Sequence, residues 1–166
     1  MKFATKPQTS QSGMTFVEVM LAVLLVATFF ASIFELNAVC LRYIDATKES
    51  IAALQSVHDR CEKLRNLAFT DLTSLSYVQT LMAAAANSSD FCNKATETVK
   101  IRAFPTANGI TQFTRTPQGA VTVDSTATSL GSSLVQIDVI TTWNMTLGGR
   151  TRSEQTSTII SNGQKK

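Results

Sequence analysis

From Val19 to Phe34 the chain reads VMLAVLLVATFFASIF, sixteen residues without a charge. Carried back to Met14, the stretch holds one ionisable side chain, Glu18. As a helix it spans about 30 Å, close to the thickness of a bilayer's hydrocarbon layer. Beyond Phe34 the apolar residues thin out but keep a helical spacing. Leu36, Cys40, Ile44, Ile51, Leu54, Val57, Cys61, Leu64 and Ala68 follow at steps of three, four or seven, with charged residues between them. No Gly or Pro occurs between Met14 and Pro105, so nothing obvious breaks the helix. The pattern predicts one helix from about Met14 to Leu67, roughly 80 Å long; two helices broken near Asn37 are the alternative.

After Thr70 the period changes. Asp71 to Tyr77 is rich in Ser and Thr, Tyr77 to Ala86 suits a short helix, and Asn87-Ser88-Ser89-Asp90 reads as a turn. From Glu97 onward apolar and polar residues alternate, with Val99, Ile101 and Ala103 on one face. Further strands are expected at Ile110–Thr116, Ala120–Val123, Leu134–Met145 and Thr151–Ile160. Leu147-Gly148-Gly149-Arg150 fits the hairpin that joins the last two. These elements predict an α+β fold: a long N-terminal helix whose second half packs against the apolar face of an antiparallel sheet.

Composition narrows the function classes. The chain has 166 residues, 44% hydrophobic and only 16% charged, with a net charge of +3. That suits one domain with a modest core, and no basic run with interleaved aromatics suggests a nucleic-acid partner. Lys2 and Lys6 precede the apolar segment with no acidic residue between them, which favours a cytoplasmic N-terminus and a head beyond the membrane. A cleaved signal peptide fits poorly, because the apolar core is long and Ala38-Val39-Cys40 is a weak cleavage site. A lipoprotein signal ending at Cys40 meets unsuitable neighbours in Asn37 and Val39. A plain signal anchor leaves Glu18 unexplained: a carboxylate near the end of a membrane span is costly and needs a partner, a task, or reach to the head-group layer.

Residues Gly13-Met14-Thr15-Phe16-Val17-Glu18, followed at once by VMLAVLLVA, resemble the prepilin cleavage and methylation motif of the type IV pilin and type II secretion pseudopilin family. The resemblance implies that a prepilin peptidase cuts after Gly13 and methylates the new N-terminus at Met14. Thr15 and Phe16 would then belong to the assembling segment. Glu18 would be the fifth mature residue, pairing with the N-terminal amine of a neighbouring subunit. It further implies a leader at 1–13, a membrane or filament-core helix at 14–35, a periplasmic helical half at 36–69 and a globular head at 70–166. The partners implied are other pilin or pseudopilin subunits, the cytoplasmic membrane and an assembly platform. Met14 departs from the Phe usual in major pilins and Phe16 from the commoner Leu. Glu35 stands where many major pilins have a kinking proline, so a minor subunit is the closer match. The stretch from Val135 to Gly163, with its Trp, glycine turn and Thr-rich last strand, also resembles minor pilins, less specifically. The alternative is a signal-anchored periplasmic domain that binds a ligand or assists an enzyme.

The sequence offers little catalytic chemistry. His58 lies beside Asp59 and near Cys61, without a second His or a CxxC to complete a metal site. No GxSxG, P-loop or HExxH is present. Asp90, Asp124 and Asp138 are too scattered for a calcium loop. The expectation is a chain without catalytic residues, cofactor or metal. Of the three cysteines, Cys40 lies about 30 Å along the helix from Cys61. This leaves Cys61–Cys92 as the intramolecular disulfide to consider, with free thiols as the alternative.

Overall fold

The computed structural model describes residues 13–131 and 133–163. Lys2, Lys6 and the first twelve residues of the expected leader lie outside the described residues. One helix, α1, runs unbroken from Phe16 to Arg65. Asn37 lies inside it, so the two-helix alternative does not hold. Helix formation is favoured by the absence of Gly and Pro and by Lys63 and Arg65 in the last turn, where cations meet the negative end of the helix dipole. It ends slightly before the expected Leu67, as the Leu67 N–H donates to the Leu64 carbonyl and tightens the chain into a turn.

The chain divides into two compact units, one ending at Leu41 and the other running from Arg42. In the first, every described residue is exposed. The second begins with the rest of α1 and continues through α2 (Phe69–Leu72), α3 (Leu75–Ala83), a 3₁₀ turn at Asp90–Asn93 and five strands. The strands are β1 (Thr96–Ala103), β2 (Thr111–Arg115), β3 (Val121–Ser125), β4 (Leu134–Asn144) and β5 (Thr151–Ser161). They form one antiparallel sheet in the order β3-β2-β1-β4-β5. Both flanking strands are thus reached through hairpins, and the central pair β1–β4 carries the core.

The alternation in β1 works as the sequence suggested: Glu97, Val99, Ile101 and Ala103 face inward and the residues between them are half-buried. Phe113 from β2 and Val135, Ile137 and Val139 from β4 complete the sheet's inner surface. Against it pack Val57, Cys61 and Leu64 of α1, with Leu72, Val78 and Met82 closing one side. Each such side chain contributes about 1.5–3 kcal/mol on burial. A smaller cluster joins Ala53, Ala95 and Trp143, where the rings of Phe91 and Trp143 meet edge to face at 5.5 Å between centroids. The β4–β5 hairpin closes through Met145 N–H to the Arg150 carbonyl at 2.9 Å. Gly148 and Gly149 take φ of +78° and +62°, a left-handed conformation that side chains resist.

Three expectations need correction. The short helix lies at Leu75–Ala83 rather than Tyr77–Ala86, and a further helical turn precedes it at Phe69–Leu72 within the Ser/Thr-rich stretch. The segment after the Asn87–Asp90 turn forms a 3₁₀ turn. The apolar series does not form one buried stripe on α1: Leu36, Cys40, Ile44, Ile51 and Leu54 are exposed on the helix, and Ala68, also exposed, lies past its end. The buried face consists of Ala46, Ala53, Ser56, Val57, Arg60, Cys61 and Leu64.

Candidate functional site

The singled-out N-terminal residues come together at the start of α1. Thr15 sits just before the first helical residue, Phe16, in the N-cap position. Its Oγ1 accepts the Glu18 N–H at 3.3 Å, while Glu18 Oε2 accepts the Thr15 N–H at 3.2 Å. Thr15 Oγ1 also reaches Glu18 Oε2 at 3.4 Å. This is a reciprocal capping box, Thr-x-x-Glu, which satisfies two backbone donors that the helix start would otherwise leave open. The carboxylate also faces the positive end of the helix dipole. Only one of its oxygens is used: Oε1 makes no hydrogen bond among the described residues. Gly13, Met14, Thr15, Phe16 and Glu18 are all exposed. The signal for this cap is in the sequence, a Thr three residues ahead of a Glu at the head of an apolar run.

Behind the cap, the first part of α1 is long and apolar enough to cross a membrane. Its two hydroxyls do not spoil this. Thr28 Oγ1 donates to the Leu25 carbonyl and Ser32 Oγ to the Thr28 carbonyl, each at 2.9 Å, so neither presents an unsatisfied polar group. Phe29, Phe30 and Leu25 are among many large apolar side chains left bare. A surface this large and apolar is covered by lipid or by other protein.

The other candidates do not converge. His58 is exposed, and no group of three His, Cys, Asp or Glu side chains suited to a metal occurs among the described residues. All three cysteines are free: Cys40 is exposed, and Cys61 and Cys92 are buried. The structure does not join Cys61 to Cys92. Cys92 Sγ lies 3.1 Å from Asn87 Oδ1 and 3.3 Å from Ser56 Oγ, acceptors for its proton. Cys61 belongs to the main core, where burial, then the Glu62 carboxylate, pushes its thiol pKa up against a smaller opposing pull from Arg65.

The three aspartates serve three separate places. Asp124 accepts from Thr114 Oγ1 at 2.5 Å, Gln112 Nε2 at 2.8 Å and Thr122 Oγ1 at 2.9 Å, bonds that hold its carboxyl below the usual range and tie β3 to β2. Asp138 accepts from Ser157 Oγ at 2.6 Å and faces Arg102 at 3.4 Å. Asp90 borders a groove of ≈ 480 Å³ with Glu49, Lys94 and the Phe91 and Trp143 rings.

Sequence reasoning missed Arg60, the largest fully buried side chain. Its Nε and Nη2 grip the two Glu97 carboxylate oxygens at 2.6 and 2.9 Å. Nη1 donates to the Leu81 carbonyl at 3.0 Å and Nη2 also to that of Ala84 at 2.7 Å. One guanidinium thereby fastens α1 to β1 and to the end of α3, through four hydrogen bonds in which all three of its nitrogens donate.

On α1 within the second unit, Ile44, Ile51 and Leu54 remain 49%, 60% and 61% exposed. They lie roughly 100° around the helix from the Val57–Leu64 face that the sheet covers. The helix therefore presents a second apolar stripe that nothing in the described chain covers. No family model matches this chain, and neither a curated protein nor a solved structure matches it.

Proposed function

We propose that this chain is a pilin-like filament subunit, held in the cytoplasmic membrane by the first part of α1 and assembled through helix-to-helix packing as a minor component of a type IV pilus or type II secretion pseudopilus. The observation that carries the reading is the placement of Gly13-Met14-Thr15-Phe16-Val17-Glu18 at the start of a helix whose apolar first part is wholly exposed. In this reading a prepilin peptidase cuts after Gly13. The head faces the periplasm, and the subunit is mechanical rather than catalytic.

The capping box supports a specific division of labour within Glu18. Oε2 is held by Thr15, which fixes the side chain along the helix start, while Oε1 is left for the amine of a neighbouring subunit. In an apolar filament core an unpaired carboxylate is expensive, so each Glu18 selects for a neighbour that brings a cation. The stripe of Ile44, Ile51 and Leu54 extends the helix surface available to neighbours.

Glu18→Ala tests this. The expected result is normal membrane insertion with filament incorporation abolished or much delayed, whereas Glu18→Gln, which keeps the capping acceptor but loses the charge, incorporates as poorly as Ala. Unchanged incorporation of both variants overturns the proposed role of Glu18. A second reading, a signal-anchored binding domain, draws on the groove floored by Phe91 and Trp143. Under that reading both Glu18 variants behave as wild type.

A further inference from the structure

Within the second unit, the uncovered stripe on α1 follows a strict count. Ile44, Thr47, Ile51, Leu54 and His58 succeed one another at steps of three, four, three and four, and all five are exposed. In the seven-residue repeat of paired helices, Ile44, Ile51 and His58 take the position called a, and Thr47 and Leu54 the position called d. Thr47 Oγ1 donates back to the Tyr43 carbonyl at 2.9 Å, so its hydroxyl brings its own partner into the stripe. The next d position, Cys61, is buried in the head's core, which ends the stripe. Counted backward in the sequence, the same rhythm passes through Cys40, Asn37, Ile33, Phe30, Val26 and Val23.

The residue types specify what covers the stripe. Arg42, Asp45, Lys48 and Glu49 stand among its positions, so lipid does not cover it. Two positions in every seven make a seam narrower than the face a helix lays on a sheet, and matched to one further helix. β-Branched Ile at a with Leu at d favours two parallel helices. A single polar residue at an a position, as Asn37 is in the count, fixes the register of such a pair. The flanks suit a like partner. In a parallel, in-register pair Tyr43 lies beside the partner's Lys48 and Ser50 beside the partner's Gln55. This sets a cation against a ring and no like charges against each other.

We propose that two copies of this chain pair in parallel and in register through Ile44, Thr47, Ile51, Leu54 and His58. The pairing rests on the membrane-anchor part of the proposed function, which brings both chains in from the same side, and not on the filament.

The test uses the full chain in detergent micelles, with Cys40→Ser to remove the exposed native thiol. Thr47→Cys, at d, and Arg42→Cys, on the far side of the helix from the stripe, are each oxidised by air with a copper catalyst. Thr47→Cys should form the disulfide-linked dimer about tenfold faster or more than Arg42→Cys. Light scattering of the wild type, kept reduced, should give the mass of two chains. Ile51→Gln with Leu54→Gln should raise the dimer's dissociation constant about a hundredfold or more. If that double variant does not fold, the cysteine comparison decides.

A wild-type chain of single-copy mass overturns the proposal, as do equal linking at 42 and 47 or a dimer that the double variant leaves intact. A mass of three chains or more overturns the pair. A single-copy wild type whose double variant drops out of filaments in cells assigns the stripe to a different subunit. A dimer in a chain that keeps its leader under active peptidase leaves the pairing standing while the filament reading falls, so the two fail separately.

Discussion

Glu18, Arg60 and Glu97 occupy positions that the hydrophobic pattern reserves for apolar side chains, and different partners hold them there. Glu18 sits in the capping box with one oxygen free. Arg60 and Glu97 neutralise each other inside the head, with the Leu81 and Ala84 carbonyls taking two further donors. A buried pair of this kind is destabilised far more by losing one member than by losing both. We predict that Glu97→Leu or Arg60→Met alone lowers the head's unfolding free energy by about 3–5 kcal/mol, and that the two together recover much of the loss. Urea unfolding of the three variants checks this; additive losses would mean that the pair is not coupled. This pair was legible in principle. Arg60 stands three residues after Val57 and four before Leu64, and Glu97 is in phase with Val99 and Ile101. Opposite charges in the apolar phase of two elements signal a buried pair, but read singly each passes for a charge between apolar neighbours.

At the scale of elements, strong periodicity specifies structure and weak periodicity does not. The long helix, β1 and the two long strands followed from repeated spacing that few other structures satisfy. The turn at Phe69–Leu72 and the 3₁₀ turn at Asp90–Asn93 are too short to display a period. The side of α1 that the sheet covers was also obscure. Its buried face includes Ala46, Ala53 and Ser56, small residues that barely register as apolar, whereas the conspicuous Ile51 and Leu54 face outward. The two stripes should respond differently to substitution. Leu64→Ala, in the core, should cost about 2–5 kcal/mol. Ile51→Gln with Leu54→Gln should change head stability by no more than about 0.5 kcal/mol per site and yet reduce filament incorporation. A loss of stability comparable to Leu64→Ala, with incorporation intact, would place the outer stripe in an intramolecular contact instead.

The molecule as a whole joins one unit whose described residues are all exposed to another with a complete core. The head can fold around its own inner sheet face, whereas nothing among the described residues covers the N-terminal part of α1, which is long and apolar enough to cross a membrane. A filament subunit meets both needs in turn, first in the membrane and then among neighbouring helices. The fold class was open to sequence reading because burial dictates it. The proposed processing after Gly13 rests on resemblance alone, since cleavage is an act of another protein and would leave no trace in packing.

The most direct measurement is the N-terminus and intact mass of the chain after expression with its cognate prepilin peptidase. A mature protein that begins at methylated Met14, with residues up to Gly13 removed, is the predicted result. A chain that keeps its leader in the presence of active peptidase would contradict the filament reading and leave a membrane-anchored head whose partner must be sought at its groove.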